Sequence, residues 1–312
     1  MIRYLVLLLS FAFANMANAE QEIPYLLTVA GKGDLVTVKA LLDSGTDANT
    51  KDLDGITALM YAARKNNTAV VKALLDKGAN PDARDNGGWT ALMLTARKNF
   101  IPTAEVLLAN GADPTLRDVS GWSALGMAAT SGYSEFVGML LDVGVDANTK
   151  SDDGKSVLMY AAKSGDVPTV QVLLTHKALV ASRDRLGVTA LMYAAREGNV
   201  GVVEALLAAN AGIEDQDQAK WTALTWAVRK KQLPVVKFLI EKGADVNHKD
   251  GEGTPPLQNA VLNKDVPMVE LLIKSGANVK TKDQFGLSAL VHALKVKSPE
   301  IVKMIKDAGG SY

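Results

Sequence analysis

An all-α repeat solenoid is the fold class this sequence predicts, on three observations. Aspartates recur every 33 residues, at Asp52, Asp85, Asp118, Asp184, Asp217, Asp250 and Asp283, with only Ser151 breaking the series. Seven residues after each comes a leucine, running from Leu59 through Leu92, Leu125, Leu158, Leu191, Leu224 and Leu257 to Leu290 without a gap. Within each period, apolar residues fall at helical spacing in two short stretches. Such a period marks an array of small units, none able to bury its apolar face alone, so stability comes from contacts between neighbours. The repeat thus organises a chain of 312 residues that would otherwise be expected to split into ordinary domains.

The N-terminus stands apart from the repeat. Arg3 precedes an apolar run from Tyr4 to Phe13, and small residues end in Ala17-Asn18-Ala19 before Glu20. This is the layout of a secretory signal peptide, with cleavage predicted after Ala19. The apolar run is about ten residues, where a spanning helix needs about twenty, so a membrane anchor is not expected. Loss of residues 1 to 19 removes one charge, Arg3, from a balance of 34 basic and 34 acidic side chains. A net charge near zero gives no reason to expect nucleic acid or an anionic membrane as ligand. The chain has no cysteine, so the exported product must be stable without disulfides, which suits a bacterial periplasm.

Inside the unit, Gly55-Ile56-Thr57-Ala58-Leu59-Met60-Tyr61-Ala62-Ala63 opens with turn residues and a threonine suited to cap a first helix. Val70-Val71-Lys72-Ala73-Leu74-Leu75 predicts a second helix, ending at Gly78, which suits a left-handed C-terminal cap. Pro102, Pro168, Pro234 and Pro267 fall at matching positions, in the first turn of that second helix, where a missing N–H costs nothing.

These residues resemble the ankyrin repeat, whose pattern runs D-x-x-G-x-T-P-L-H-x-A-A and then V-x-x-L-L-x-x-G-A. The resemblance covers about residues 23 to 310, as about nine units: a partial N-terminal cap at 23–51, full units over 52–282, and a C-terminal cap at 283–312. It implies a hairpin-like loop and two antiparallel helices per unit, stacked as a single solenoid after the signal segment. The family's helix-one histidine is replaced by Met60, Met93, Met159 and Met192 in four units, so thioether packing is expected there. Lys220 stands at a loop glycine position, and Lys177 and Asn210 at helix-cap glycine positions. Lysine there is expected either to be strained or to change the turn, with an irregular stack near residues 177 to 221. Lys306, at an apolar position of the last second helix, suggests a polar end cap and a monomer.

No enzyme, cofactor or metal site is expected. His176, His248 and His292 occupy three different places in their repeats. The aspartate ladder reads as turn residues rather than as metal ligands.

The residues the repeat leaves free are the candidates for function. Just after the loop glycine stand Trp89, Trp122 and Trp221, three of the four tryptophans. By resemblance this position lies on the hairpin arm, where an exposed indole favours partner binding. The other reading is that these indoles lie flat over the neighbouring loop. On the first helix, residues three apart share a face, pairing Tyr61 with Arg64, Leu94 with Arg97, Tyr160 with Lys163, Tyr193 with Arg196, Trp226 with Arg229, and His292 with Lys295. Stacked repeats would align them into a basic, aromatic face; a solvated face with half-buried rings is the alternative. The expected function is therefore non-catalytic binding of a periplasmic protein, most concretely inhibition of, or immunity to, a peptidoglycan peptidase. Direct binding of cell-wall fragments, or scaffolding of a redox enzyme under envelope stress, are the alternatives.

Overall fold

A computed structural model describes residues 23–311; the predicted signal segment and its cleavage point lie outside the described residues. The chain divides into two compact units, Met1–Val119 and Ser120–Tyr312. Among the described residues the first holds three helix pairs: α1 (Tyr25–Lys32) with α2 (Leu35–Asp43), α3 (Ala58–Ala63) with α4 (Thr68–Asp76), and α5 (Ala91–Ala96) with α6 (Ile101–Ala109). The second begins with α7 (Ala124–Thr130) and α8 (Ser134–Asp142), then α9 (Val157–Ser164) and α10 (Val167–Thr175), then α11 (Ala190–Glu197) and α12 (Val200–Ala208). It continues with α13 (Ala223–Arg229) and α14 (Leu233–Glu241), α15 (Pro256–Leu262) and α16 (Val266–Lys274), and α17 (Ala289–Lys295) and α18 (Pro299–Asp307). The region 23–51, expected as a partial cap, carries both of its helices.

Within each compact unit the first helices of successive pairs pack on one another, and so do the second helices, giving two helical layers. The leucine ladder is the reason. Leu59, Leu92, Leu125, Leu158, Leu191, Leu224, Leu257 and Leu290 each expose at most 1% of their surface. Burial of each contributes about 1.5–3 kcal/mol. The alanines beside them, such as Ala62 and Ala63, are fully enclosed, and their small size lets neighbouring helices approach closely.

Local chemistry sets the ends of each helix. Thr57 Oγ1 accepts the Met60 N–H at 3.2 Å, an N-terminal cap repeated by Thr90, Ser123, Ser156, Thr189 and Thr222. The buried methionines do more than pack. Met159 Sδ accepts the Ser156 N–H at 3.4 Å and Met192 Sδ the Thr189 N–H at 3.5 Å, so the thioether closes a reciprocal cap. Pro102, Pro168, Pro234 and Pro267 all sit in the first turn of a second helix.

The arms between pairs contain only isolated antiparallel bridges among the described residues, such as Lys51 with Thr57 and Lys282 with Ser288. Successive arms are tied by backbone bonds, with Asn86 N–H donating to Asp54 O at 2.8 Å in the first unit and Gln218 N–H to Leu186 O at 3.0 Å in the second. Where lysine replaces glycine, strain is accepted and the turn is kept. Lys177, Asn210 and Lys220 hold φ of 64°, 62° and 59°. Lys177 N–H still bonds Leu174 O, and Ala178 N–H bonds Leu173 O, as Gly78 and Ala79 do in their own turn. Across the region 177–221, where an irregular stack is expected, the arm bonds are kept at Gln218 and at Gly251, whose N–H reaches Ala219 O at 2.9 Å, but among the described residues no such bond joins Arg185 to Asp153. Lys306 is exposed on α18.

Candidate functional site

The candidate face is built from the arm aspartates upward. Asp52 uses Oδ1 to accept the N–H groups of Asp54 and Ile56, at 3.1 and 2.8 Å, which closes the arm turn. Its Oδ2 accepts the hydroxyl of Tyr61 on α3 at 3.0 Å. The same link across nine residues recurs as Tyr193 to Asp184 at 2.7 Å, Trp226 Nε1 to Asp217 at 3.0 Å, and His292 Nε2 with Asp283 at 2.8 Å. Where serine breaks the aspartate series, the Tyr160 hydroxyl meets Ser151 Oγ at 3.0 Å and Asp153 at 3.2 Å. In these five repeats the first-helix ring is therefore anchored to its own arm, which fixes that arm against its helix.

Anchoring changes their chemistry. Tyr193 is 5% exposed, and burial, reinforced by its bond to Asp184, pushes the phenol above its ordinary range. Tyr61 and Tyr160 are half-buried, and burial raises them in the same direction. Burial also pushes Asp153 upward, but hydrogen bonds from Lys155 and Ser151 outweigh it and leave that carboxyl below the usual carboxylate range.

Cations lie over these rings. Arg64 Cζ stands 4.0 Å from the centre of the Tyr61 ring, and Arg97 Cζ lies 5.4 Å from the centre of the Trp89 ring. In the second unit Arg196 lies between Tyr193 and Trp226, at 4.9 and 5.6 Å, and Arg229 covers Trp221 at 4.1 Å. Each such contact contributes about 0.5–1 kcal/mol where exposed, and more where water is excluded. Lys163 is exposed and lies over no ring among the described residues.

The arm indoles do not stand free. Trp89, Trp122 and Trp221 are all half-buried. The Trp122 ring meets that of Tyr160 at 4.6 Å, and Trp221 meets Trp226 edge-on at 4.7 Å and 74°. The packing reading therefore accounts for a share of each indole that the exposed reading did not allow for.

Two kinds of residue escaped the sequence reading. The second carboxylate oxygen of the arm aspartates was one, although the nine-residue step from aspartate to a side chain with a donor signals it. Asn259 was the other. It is 4% exposed and its Oδ1 accepts Arg229 Nη1 at 2.8 Å, while its Nδ2 has no partner. Nothing in its type separates it from an ordinary polar helix residue.

The arrangement presents planar guanidinium groups held over aromatic faces; Arg196 already donates from Nε and Nη2 to Glu197 Oε1 at 3.0 and 2.8 Å, and Arg229 from Nη1 to Asn259, so a partner's carboxylate would meet their remaining N–H groups. Among the described residues no three acidic or histidine side chains gather as metal ligands would. No described helix is long and apolar enough to cross a membrane. A family model for ankyrin repeats (3 copies) matches residues 26–118, 114–184 and 177–250, and one for ankyrin repeats (many copies) matches residues 239–293. No curated protein matches the chain.

Proposed function

Because the chain belongs to the ankyrin-repeat family, whose repeats generally mediate protein–protein binding, we propose that it is a non-catalytic binding module for a protein of the bacterial periplasm. The observation that carries this reading is the set of guanidinium groups held over rings, Arg196 and Arg229 above all. Such a face is pre-ordered, so little side-chain entropy is lost when a partner docks. Arginine and aromatic side chains are also the types that dominate interface energies. Export rests on the first nineteen residues. It places the partner in the cell envelope, and a wall enzyme such as a peptidoglycan peptidase, held in check by the bound module, is the concrete form of the proposal.

The test is affinity capture from a periplasmic extract, with an Arg196→Ala/Arg229→Ala variant alongside, followed by assay of the recovered enzyme with and without the module. We expect one envelope enzyme to be recovered by the wild type, lost by the variant by roughly 2–4 kcal/mol of affinity, and slowed when bound. Equal recovery by both forms would remove the arginine face from the account. Binding to purified cell-wall sacculi with no added protein would favour a wall ligand instead.

A further inference from the structure

The charge of the second compact unit is unevenly distributed. Residues 120–220 hold 8 basic and 12 acidic side chains, a net charge of −4, while residues 221–312 hold 14 basic and 9 acidic, a net charge of +5. In the last three pairs much of that positive charge gathers at the turns joining first helix to second, where Lys230, Lys231, Lys264, Lys295 and Lys297 are all exposed. Among the described residues none of the five is in an ion pair; the ion pairs of this stretch use Lys237, Lys274 and His292. The one acid in the same turns, Asp265, turns its carboxylate to the Met268 N–H at 3.2 Å to cap α16.

Three of these lysines sit in a backbone conformation that disfavours them. Lys231, Lys264 and Lys297 hold φ of 60°, 53° and 56°. The equivalent places earlier in the chain are glycines, at Gly33, Gly132, Gly165 and Gly198, or asparagines, at Asn66 and Asn99, all left-handed as well. Glycine takes this conformation freely and asparagine at small cost, whereas a long side chain is strained there. At Gly165 and Gly198 the space a Cβ would fill is taken by Asn199 and Gln232 of the next pair, which bond back to the helix end. In the last three pairs lysine stands in place of glycine, and the bond back to the first of these helix ends comes instead from Asn263, whose Nδ2 donates to Val228 O and Arg229 O at 3.3 Å. Lysine near a helix C-terminus offsets the helix dipole, but Lys230 and Lys295 already do so without strain. What the strained lysines add is charge at a fixed 33-residue step.

We propose that the turns carrying Lys231, Lys264 and Lys297 form a second interaction surface, which docks an acidic segment of a protein partner. Lys231, Lys264 and Lys297 occupy a repeat position other than that of Arg196 and Arg229, which Lys295 shares, and the proposal stands whether or not the arginine–ring reading holds. A row of single cations, one per pair, fits an extended chain of carboxylates. A membrane is a poorer fit, since the same compact unit carries the acidic stretch beside the row and the sequence is neutral as a whole.

The test uses the full chain, a fluorescent deca-glutamate peptide as probe, and three forms of the protein: wild type, Lys231→Gly/Lys264→Gly/Lys297→Gly, and a charge-matched control, Lys249→Ala/Lys280→Ala/Lys303→Ala. Glycine relieves the strain, so the first variant keeps or raises Tm and its binding can be read on a folded protein. We expect it to bind the peptide roughly tenfold more weakly at low salt, with the control close to wild type. Wild-type affinity in the glycine variant, or an equal loss in the control, would overturn the proposal. So would wild-type binding to phosphatidylglycerol vesicles that the glycine variant loses, with no binding to the peptide by either.

Discussion

At the scale of single residues, the face depends on carboxylates that each serve two elements. Asp184 holds its own turn and the hydroxyl of Tyr193, so Tyr193→Phe leaves a poorly solvated carboxylate oxygen without its donor. Urea denaturation is expected to show a loss of about 1–3 kcal/mol, and a neutral result would mean that water replaces the hydroxyl. Asp283 adds a pH dependence. Burial pushes its carboxyl upward, but bonds from the Leu287 N–H, His292 and the Phe285 N–H outweigh this and leave it below its ordinary 3.8. A carboxyl lowered in the folded state stabilises the fold above 3.8, and that gain is lost as pH falls through the native value. Asp283→Asn should therefore cost stability at neutral pH and converge on wild type in acid; a difference constant with pH would exclude the charge as its cause. The sequence made these aspartates visible as turn residues. It did not reveal their second bond, because that depends on where the ring nine residues later turns.

At the scale of elements, legibility was greatest where every repeat asks the same thing of one position. The leucine ladder, the first-turn prolines and the threonine or serine caps could be read because each recurs in the same local environment. Leu158→Ala on α9 should accordingly cost about 2–5 kcal/mol through the cavity it leaves, measured by thermal or chemical denaturation. A silent substitution would shift the repeat register. The arm indoles were harder to read, since their surroundings differ from repeat to repeat: Trp89 and Trp221 meet Arg97, Trp226 and Arg229 of their own repeats, whereas Trp122 meets a ring of the next pair. Trp122 packs on Tyr160, so Trp122→Ala should lose at least the roughly 0.5–1.5 kcal/mol of an aromatic pair, besides any effect on binding. The left-handed turns at Lys231, Lys264 and Lys297 were hidden in the sequence because lysine, unlike glycine, gives no sign of a positive φ. The glycines at 33, 132, 165 and 198 were the signal.

At the scale of the whole molecule, a neutral total concealed a charge reversal between residues 120–220 and 221–312, because summing over the chain erases position. The proposed export has its basis in the first nineteen residues, outside the described ones, while the repeat itself was legible from residue 23 onward. Stability that comes from neighbours also fails locally, so Leu290→Ala should speed amide exchange in α17 and α18 well before α9 and α11. Uniform acceleration from α7 to α18 would instead mean that these pairs open as one. The methionines extend this to chemical ageing. Met60, Met93, Met159 and Met192 are each 1% exposed, while Met139 and Met304 are half-buried. With no cysteine to intercept an oxidant, peroxide should convert the half-buried sulfurs to sulfoxide first. Each enclosed sulfur would follow only when its helix pair comes apart, so the extent of oxidation at each one records how often that pair has opened.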